Sequence, residues 1–419
     1  MHITLATIGS RGDVQPYIAL GVGLKSAGHS ICVATHRNFE AEIRKRGLDF
    51  SPVEGNPRET VESDLGQKWL AAGKNTFAFT MQMVRLIRPM MVQGTKDCLQ
   101  ACRGADLVLY SILGWIGAHS VVEKLGIPGY AAFLQPVTPT RQFPSFAFPI
   151  HANLGALHNR LTYALGEQLF WLAFRGCMNQ ARKEVLDLPK LPFRSPASHL
   201  RRLDTPVLNG YSPTVLPKPP DWPDSVHVTG YWFLDQVTGW NPPTELNDFL
   251  DSGPPPVYVG FGSMHARNAS ELTAVVVEAL SRAGLRGILL SGWGALTHEN
   301  LPDTVLPIES VPHEWLFPRV SAVVHHGGAG TTAAGLRAGV PSIIVPFFGD
   351  QYFWASRVAA LEVGPNPIPV KRLNVHNLAV ALQAALTDQA MRERTDAVGK
   401  LVRGEDGVAR AVETVGQMA

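Results

Sequence analysis

Cysteine is scarce in this chain. There are four in 419 residues, Cys32, Cys98, Cys102 and Cys177, with no CxxC spacing and no paired histidine motif. That excludes a disulfide framework and a Cys/His zinc site as the basis of the fold. Cys32, inside Ile31-Cys32-Val33, reads as a small core residue. Charge is sparse and nearly balanced, 17% of residues with a net +2. Lys and Arg are scattered, and the short clusters Arg44-Lys45-Arg46 and Arg201-Arg202 read as solvated surface. The basic stripe of a nucleic-acid binder is missing. No apolar run approaches the ~20 residues of a membrane span, and there is no low-complexity tract. Met1 to Ile8 has neither a basic segment nor an apolar stretch of signal-peptide length, which predicts a cytoplasmic chain. A Walker Gly-Lys-[Ser/Thr] is absent, as is the GxGxxG spacing of hydride-transfer enzymes with its later ribose-binding acid.

What is present is ordinary globular sequence, 45% hydrophobic, in a chain too long for one core. Single cores stop growing at roughly 250–300 residues, so two domains of about 200 residues each are predicted. The first half opens with an apolar run, His2 to Ile8, broken by Gly9-Ser10-Arg11-Gly12-Asp13. A helical stretch, Val14 to Ala27, ends at Gly28, and Ile31 to Thr35 is the next strand. This β-loop-α-β order predicts a parallel sheet with right-handed crossovers, continued by strands at Asp106–Tyr110 and Gly129–Phe133. The second half repeats the plan, with strands at Pro256–Phe261, Gly287–Leu290, Ala322–His325 and Ser342–Val345, and a helix from Ala269 to Ala283. Prolines at 213, 217, 219, 220 and 223 read as a stiff connector. The boundaries are therefore 1–215 for the first domain, 216–240 for a linker, 241–397 for the second domain and 398–419 for a closing helix.

The most informative segment is His325-His326-Gly327-Gly328-Ala329-Gly330-Thr331-Thr332, which follows a buried strand and opens a helix. Small residues let backbone N–H groups approach an anion, and the helix N-terminus adds partial positive charge. The hydroxyls of Thr331 and Thr332 suit capping or donation to phosphate oxygens.

This loop resembles the donor-binding signature of inverting, nucleotide-sugar-dependent glycosyltransferases of family 1 type. Val345-Pro346-Phe347-Phe348-Gly349-Asp350-Gln351 and Gly9-Ser10-Arg11-Gly12-Asp13 extend the match, which is nearest in motifs to sterol 3β-glucosyltransferases and bacterial natural-product glycosyltransferases. The resemblance implies the α/β GT-B fold, two Rossmann-like domains facing each other across a cleft. It implies an acceptor-binding N-terminal domain and a C-terminal domain that binds the nucleotide sugar.

It further implies that Asp13 takes the proton of the acceptor hydroxyl, within a loop of Ser10, Arg11 and Gly12 that meets donor and acceptor. His325, Gly327, Gly328, Ala329, Gly330 and Thr331 would hold the diphosphate, joined by Ser263 from the first strand of the second domain. Asp350 and Gln351 would hold hydroxyls of the donor sugar. Trp293 and Val311 would lie against the nucleoside base. No Asp-x-Asp element is present to hold a divalent cation, so the implied reaction is a metal-independent single displacement with no cofactor.

For the acceptor, an aromatic loop with Phe143, Phe146 and Phe148 precedes a leucine-rich helical region, Leu154 to Val185. The ordinary account is that this helix packs on the first sheet. Acceptor contact and peripheral membrane contact are the other readings. Met81, in the segment 69–91, and Trp115 complete the acceptor candidates. The expected partners are a nucleotide sugar, here UDP-glucose, and a hydrophobic alcohol such as a sterol, bound by a monomer or homodimer. A natural-product tailoring enzyme, acting on a macrolide, polyketide or polyphenol with a UDP- or dTDP-sugar, is the alternative.

Overall fold

The computed structural model describes residues 1–56, 59, 63, 66, 76–148, 153–197, 204–234, 240–262, 269–291, 296 and 301–418. Most strands are apolar runs buried on both faces, the condition that suits an all-parallel sheet covered by helices. In the first unit these are β1 (His2–Ala6), β2 (Ser30–Thr35), β3 (Asp49–Pro52), β4 (Leu107–Tyr110), β5 (Gly129–Phe133), β6 (Val207–Asn209) and β7 (Val226–Val228). They pair in the order β3-β2-β1-β4-β5-β6-β7, all parallel. The strand order reverses between β1 and β4, where Ala6 lies opposite Tyr110. A ligand of such a sheet sits beyond the carboxyl ends of the strands at that reversal.

The second unit carries a smaller sheet of β8 (Val257–Gly260), β9 (Gly287–Leu290), β10 (Val305–Ile308), β11 (Ala322–His325) and β12 (Ser342–Ile344). Their order is β10-β9-β8-β11-β12, again all parallel. Its reversal falls between β8 and β11, with His325 opposite Gly260. Each unit thus presents one switch point, and each is the mouth of a glycine-containing loop.

The chain divides into Met1–Leu234 with Asp406–Ala419, and Asp235–Glu405. Two expectations are corrected here. The proline-rich stretch 213–223 lies within the first unit, between β6 and β7, and β7 itself falls inside the expected 216–240 linker. The expected closing helix over 398–419 is two helices, Gln389–Arg403 and Gly407–Met418. The break follows from local chemistry. Gly404 folds its N–H back onto the carbonyls of Lys400 and Leu401, and the Asp406 carboxylate accepts from the Ala409 N–H at 2.9 Å to start the second helix. That last helix returns to the first unit, where Ala411 and Val415 are buried beside Leu20 and Leu24 of helix α1 (Arg11–Ser26).

The expected packing of the leucine-rich region is also corrected. The helix here runs Ala156–Ala181, but Trp171, Phe174, Cys177 and Met178 form its buried face, while its leucines point to the surface. At its end Arg182, 2% exposed, fixes it to the helix Trp115–Leu125. The guanidinium donates to both Glu123 carboxylate oxygens (2.7 and 2.9 Å) and to Ser120 Oγ (3.1 Å).

Candidate functional site

In the first unit the loop after β1 is built around one carboxylate. Ser10 is the N-cap of α1 and Asp13 is its third helical residue. Asp13 Oδ2 accepts from the Ser10 N–H at 2.8 Å and from the Ser10 hydroxyl at 2.9 Å, while the Thr7 hydroxyl donates to the Asp13 carbonyl at 2.8 Å. Both side-chain bonds fall on the same oxygen, so the group is anchored through one atom. Gly9, at φ +134°, leaves the room this requires, since a Cβ there would stand 2.5 Å from Asp13 Oδ2. Burial raises the carboxyl above its ordinary value, and the two Ser10 bonds pull it back down. Arg11 and Gly12 are exposed on the first turn.

Trp115 begins the helix after β4, on the other side of the same switch point. It is half-buried and stacked on His119 at 5.3 Å. Phe143, Phe146 and Phe148 are half-buried in the stretch ahead of the leucine-rich helix. That stretch is tied down by Ser145 N–H to Thr162 Oγ1 (2.9 Å) and by Asn159 Nδ2 to the Arg141 carbonyl (2.8 Å). Met81 is exposed on the helix Thr76–Ile87. Topology therefore brings Asp13 and Trp115 to one end of the sheet, while Met81 lies on a separate helical surface.

In the second unit the loop after β11 feeds helix α10 (Ala329–Ala338), with Gly328 as its N-cap. His325 is fully buried, and its Nδ1 accepts from the Gly327 N–H at 3.0 Å. That bond requires the ring proton on Nε2, which has no partner. Burial holds His325 well below its ordinary pKa and His326 at about 4, so both rings are neutral at pH 7. Gly327, at φ +91°, turns the chain where a Cβ would meet Ile344 Cγ2 at 2.6 Å. The His326 ring sits between two glycines, such that a Cβ on Gly262 or Gly328 would approach it within 2.9 Å and 2.5 Å.

The first intrahelical bond of α10 is Thr332 N–H to the Gly328 carbonyl. The N–H groups of Ala329, Gly330 and Thr331 precede it and have no acceptor within the helix. Two sequence expectations change in detail. The Gly327 N–H is taken by His325, and the Thr332 hydroxyl is bound back to the Gly328 carbonyl at 3.0 Å. The amides left for an anion are those from Gly328 to Thr331.

Asp350 stands at the N-cap position of the helix Gln351–Ala360 and is half-buried. Gln351 is 4% exposed, and its Oε1 accepts from the Phe347 and Phe348 N–H groups at 2.8 and 3.2 Å. This amide carbonyl shapes the loop. Val311 is buried against Tyr258 and Phe317, leaving only its backbone to meet a ligand. Ser263 and Trp293 lie outside the described residues.

Residues 3–144 match the glycosyltransferase family 28 N-terminal domain, and residues 294–405 match the erythromycin biosynthesis protein CIII-like C-terminal domain. Over 99% of its length the chain is 41% identical to a sterol 3-beta-glucosyltransferase of Cryptococcus neoformans var. neoformans and to one of Aspergillus fumigatus. It spans 27% and 30% of those relatives' own lengths. Among solved structures, the glycotransferase of kitacinnamycin matches with a TM-score of 0.73 at 20% identity, over 99% of this chain and 98% of that one. The calicheamicin glycosyltransferase CalG4 matches at 0.69 and 18%, over 99% and 97%. At such identities the likeness is one of fold.

Proposed function

The chain belongs to the GT-B glycosyltransferases, and we propose that it transfers glucose from UDP-glucose to the hydroxyl of a sterol or steroid, inverting the anomeric carbon. The observation that carries this reading is the pair of switch-point loops, one offering a desolvated carboxylate and the other an array of unpaired amides. In this reading Asp13 takes the acceptor proton as the oxygen attacks. The N–H groups from Gly328 to Thr331 and the Nε2–H of His325 receive the departing diphosphate, with the α10 dipole behind them. Because His325 is neutral, its contribution is a hydrogen bond rather than a positive charge. Asp350 holds hydroxyls of the donor sugar, and Gln351 sets the loop that presents it.

Likeness of 41% over nearly the whole chain supports a sterol acceptor over a macrolide or polyphenol, since the natural-product enzymes of like fold are about 20% identical. The reaction runs without a metal, because the helix N-terminus supplies the field a cation would otherwise provide. The protein works at the cytoplasmic side of membranes, in peripheral contact with them, because that is where its acceptor is dissolved.

Incubation with UDP-glucose or dTDP-glucose and a panel of sterols, macrolides and phenols tests this. The expected product is a sterol β-glucoside, formed faster from the uridine donor and unaffected by a chelator. Conversion of phenols or macrolides with no sterol product would overturn the acceptor assignment. The Ser10 hydroxyl gives a finer test. It lowers the Asp13 pKa, and the base acts only when deprotonated, so Ser10→Ala raises that pKa. The acid limb of kcat/KM is expected to move to higher pH in Ser10→Ala. A limb that stays in place separates the limiting ionisation from Asp13.

A further inference from the structure

The prolines at 217, 219, 220 and 223 stiffen the connector between β6 and β7, and that connector holds one carboxylate in place. Trp222 is 5% exposed and its N–H donates to the Pro219 carbonyl at 3.1 Å, which fixes the turn beside Asp221. Asp221 itself is exposed. Its carboxylate grips the stretch 134–148, which leaves the carboxyl end of β5 and carries Phe143, Phe146 and Phe148. That stretch is neither helix nor strand and has prolines at 136, 139 and 144. Its backbone groups must therefore find partners outside regular structure.

Two supports hold it, one on each side of Phe143. Ahead of Phe143, Asp221 Oδ1 accepts from the buried Thr140 hydroxyl at 2.6 Å and Oδ2 from the Arg141 N–H at 2.9 Å. The Thr140 oxygen accepts in turn from the Gln142 N–H at 3.1 Å, and Asn159 Nδ2 donates to the Arg141 carbonyl at 2.8 Å. After Phe143, the Ser145 N–H donates to Thr162 Oγ1 at 2.9 Å. Asn159, Thr162 and Gly166 follow one another at i, i+3 and i+7 on the buried side of the helix Ala156–Ala181, and the loop crosses that floor. Desolvation raises the Asp221 carboxyl, but the bonds from Thr140, Arg141 and its own backbone, with Arg160 nearby, leave it below its ordinary value. It is thus charged at pH 7, with one acceptor oxygen for each donor. The loop stands at the reacting edge of the sheet. In the order β1-β4-β5 it departs two strands from β1, about 10 Å away at the usual spacing. It leaves from the same carboxyl edge as the Asp13 loop, and Tyr17, one turn after Asp13, donates its hydroxyl to the Ala132 carbonyl of β5.

We propose that Asp221 is a positioning residue for the acceptor: through Thr140 and Arg141 it sets the aromatic loop, Phe143 above all, as the apolar wall against which the acceptor's rings lie. This rests on the acceptor reading above and deepens it, since affinity for the alcohol then depends on a connector that itself meets neither substrate. Asp221→Asn puts an amide N–H where one of the two donors needs an oxygen. Steady-state kinetics of that variant should show the acceptor KM raised about tenfold, with kcat and the UDP-glucose KM within about twofold, the signature of lost binding rather than lost chemistry. Thr140→Val should behave alike and add little to Asp221→Asn, since both open one clasp, while Thr140→Ser restores wild-type values. A carboxylate that served only the fold would instead lower the melting temperature and move both KM values together. Amide exchange reads the loop with no acceptor present: residues 141–146 should exchange faster in Asp221→Asn, while residues 7–14 keep their protection. Unchanged exchange over 141–146 overturns the clasp, and faster exchange with an unchanged acceptor KM overturns its role in acceptor binding. A wild type that converts another alcohol of the panel and no sterol sinks the sterol reading alone, and the KM comparison is then made with that alcohol. Turnover of none of them overturns both.

Discussion

Asp13→Asn is expected to lower kcat/KM by about 10²–10⁴-fold, the usual range for a lost general base, without lowering the melting temperature at neutral pH. The two halves of that expectation come from the same geometry. Asparagine keeps the shape and an oxygen that can accept from the Ser10 N–H, now held by Asp13 at 2.8 Å. It cannot take a proton. Burial raises the Asp13 carboxyl above its ordinary value, so the native state binds that proton more tightly than the unfolded chain does. Stability then falls as pH rises from the unfolded pKa through the raised native one, and above that window the charged carboxylate is a standing cost. The neutral amide removes it. A residue that weakens the fold while occupying a strand-to-helix loop is what a poised base looks like. Steady-state rates with UDP-glucose and a sterol, beside a thermal melt, give both readings from one preparation. A variant that turns over within a fewfold of wild type removes Asp13 from proton transfer. A variant that melts far below wild type makes Asp13 a cap.

The parts of the fold legible in the sequence are those where burial leaves only apolar residues. β1, β2, β4, β5, β8, β9, β11 and β12 each read as a short continuous run, and a parallel sheet covered on both faces demands that. The strands that escaped are β3, β6, β7 and β10. Three of them, β3, β7 and β10, lie at sheet edges, where one ladder suffices and polar residues or proline are tolerated. β3 reads Asp-Phe-Ser-Pro and β10 carries Pro307, so neither shows an apolar run. β6 and β7 are three residues each and flank the prolines that look like a connector. The leucine-rich helix shows a different limit. A four-residue repeat identifies one stripe, but the core is instead lined by Trp171, Phe174 and Met178, a second stripe at i, i+3, i+7. Periodicity finds faces, and only packing says which face is inside.

The candidate site divides the same way. Asp13 is singled out by the likeness of Gly9-Ser10-Arg11-Gly12-Asp13 to a glycosyltransferase motif, while its bonds to Ser10 become visible only in the fold. That the Gly327 N–H is taken by His325, and that the Gln351 carbonyl holds the 347–348 amides, depends on rings and turns folded back in three dimensions. No spacing announces those bonds. They alter the roster of donors without moving the loop, which is why the site could be located before its chemistry could be itemised.

The mouth of α10 gives the second large effect. Gly330→Asp is expected to abolish the stabilisation of the protein by UDP while leaving the fold intact or slightly firmer. Gly330 is the second helical residue and is exposed. A carboxylate in a first turn is favourable to the helix by about 0.3–1 kcal/mol, since it faces the positive end of the dipole. The same field and the same amides are what the proposed diphosphate uses, so the new charge competes with it and repels it. Wild type at a UDP concentration about 100 times Kd should gain about 2.7 kcal/mol, read as a rise in melting temperature, and the variant should gain none. Opposite signs on fold and ligand distinguish this from simple damage, which would lower both. If UDP still lifts the variant as it lifts wild type, the pyrophosphate binds elsewhere, and the amides from Gly328 to Thr331 serve only to start a helix.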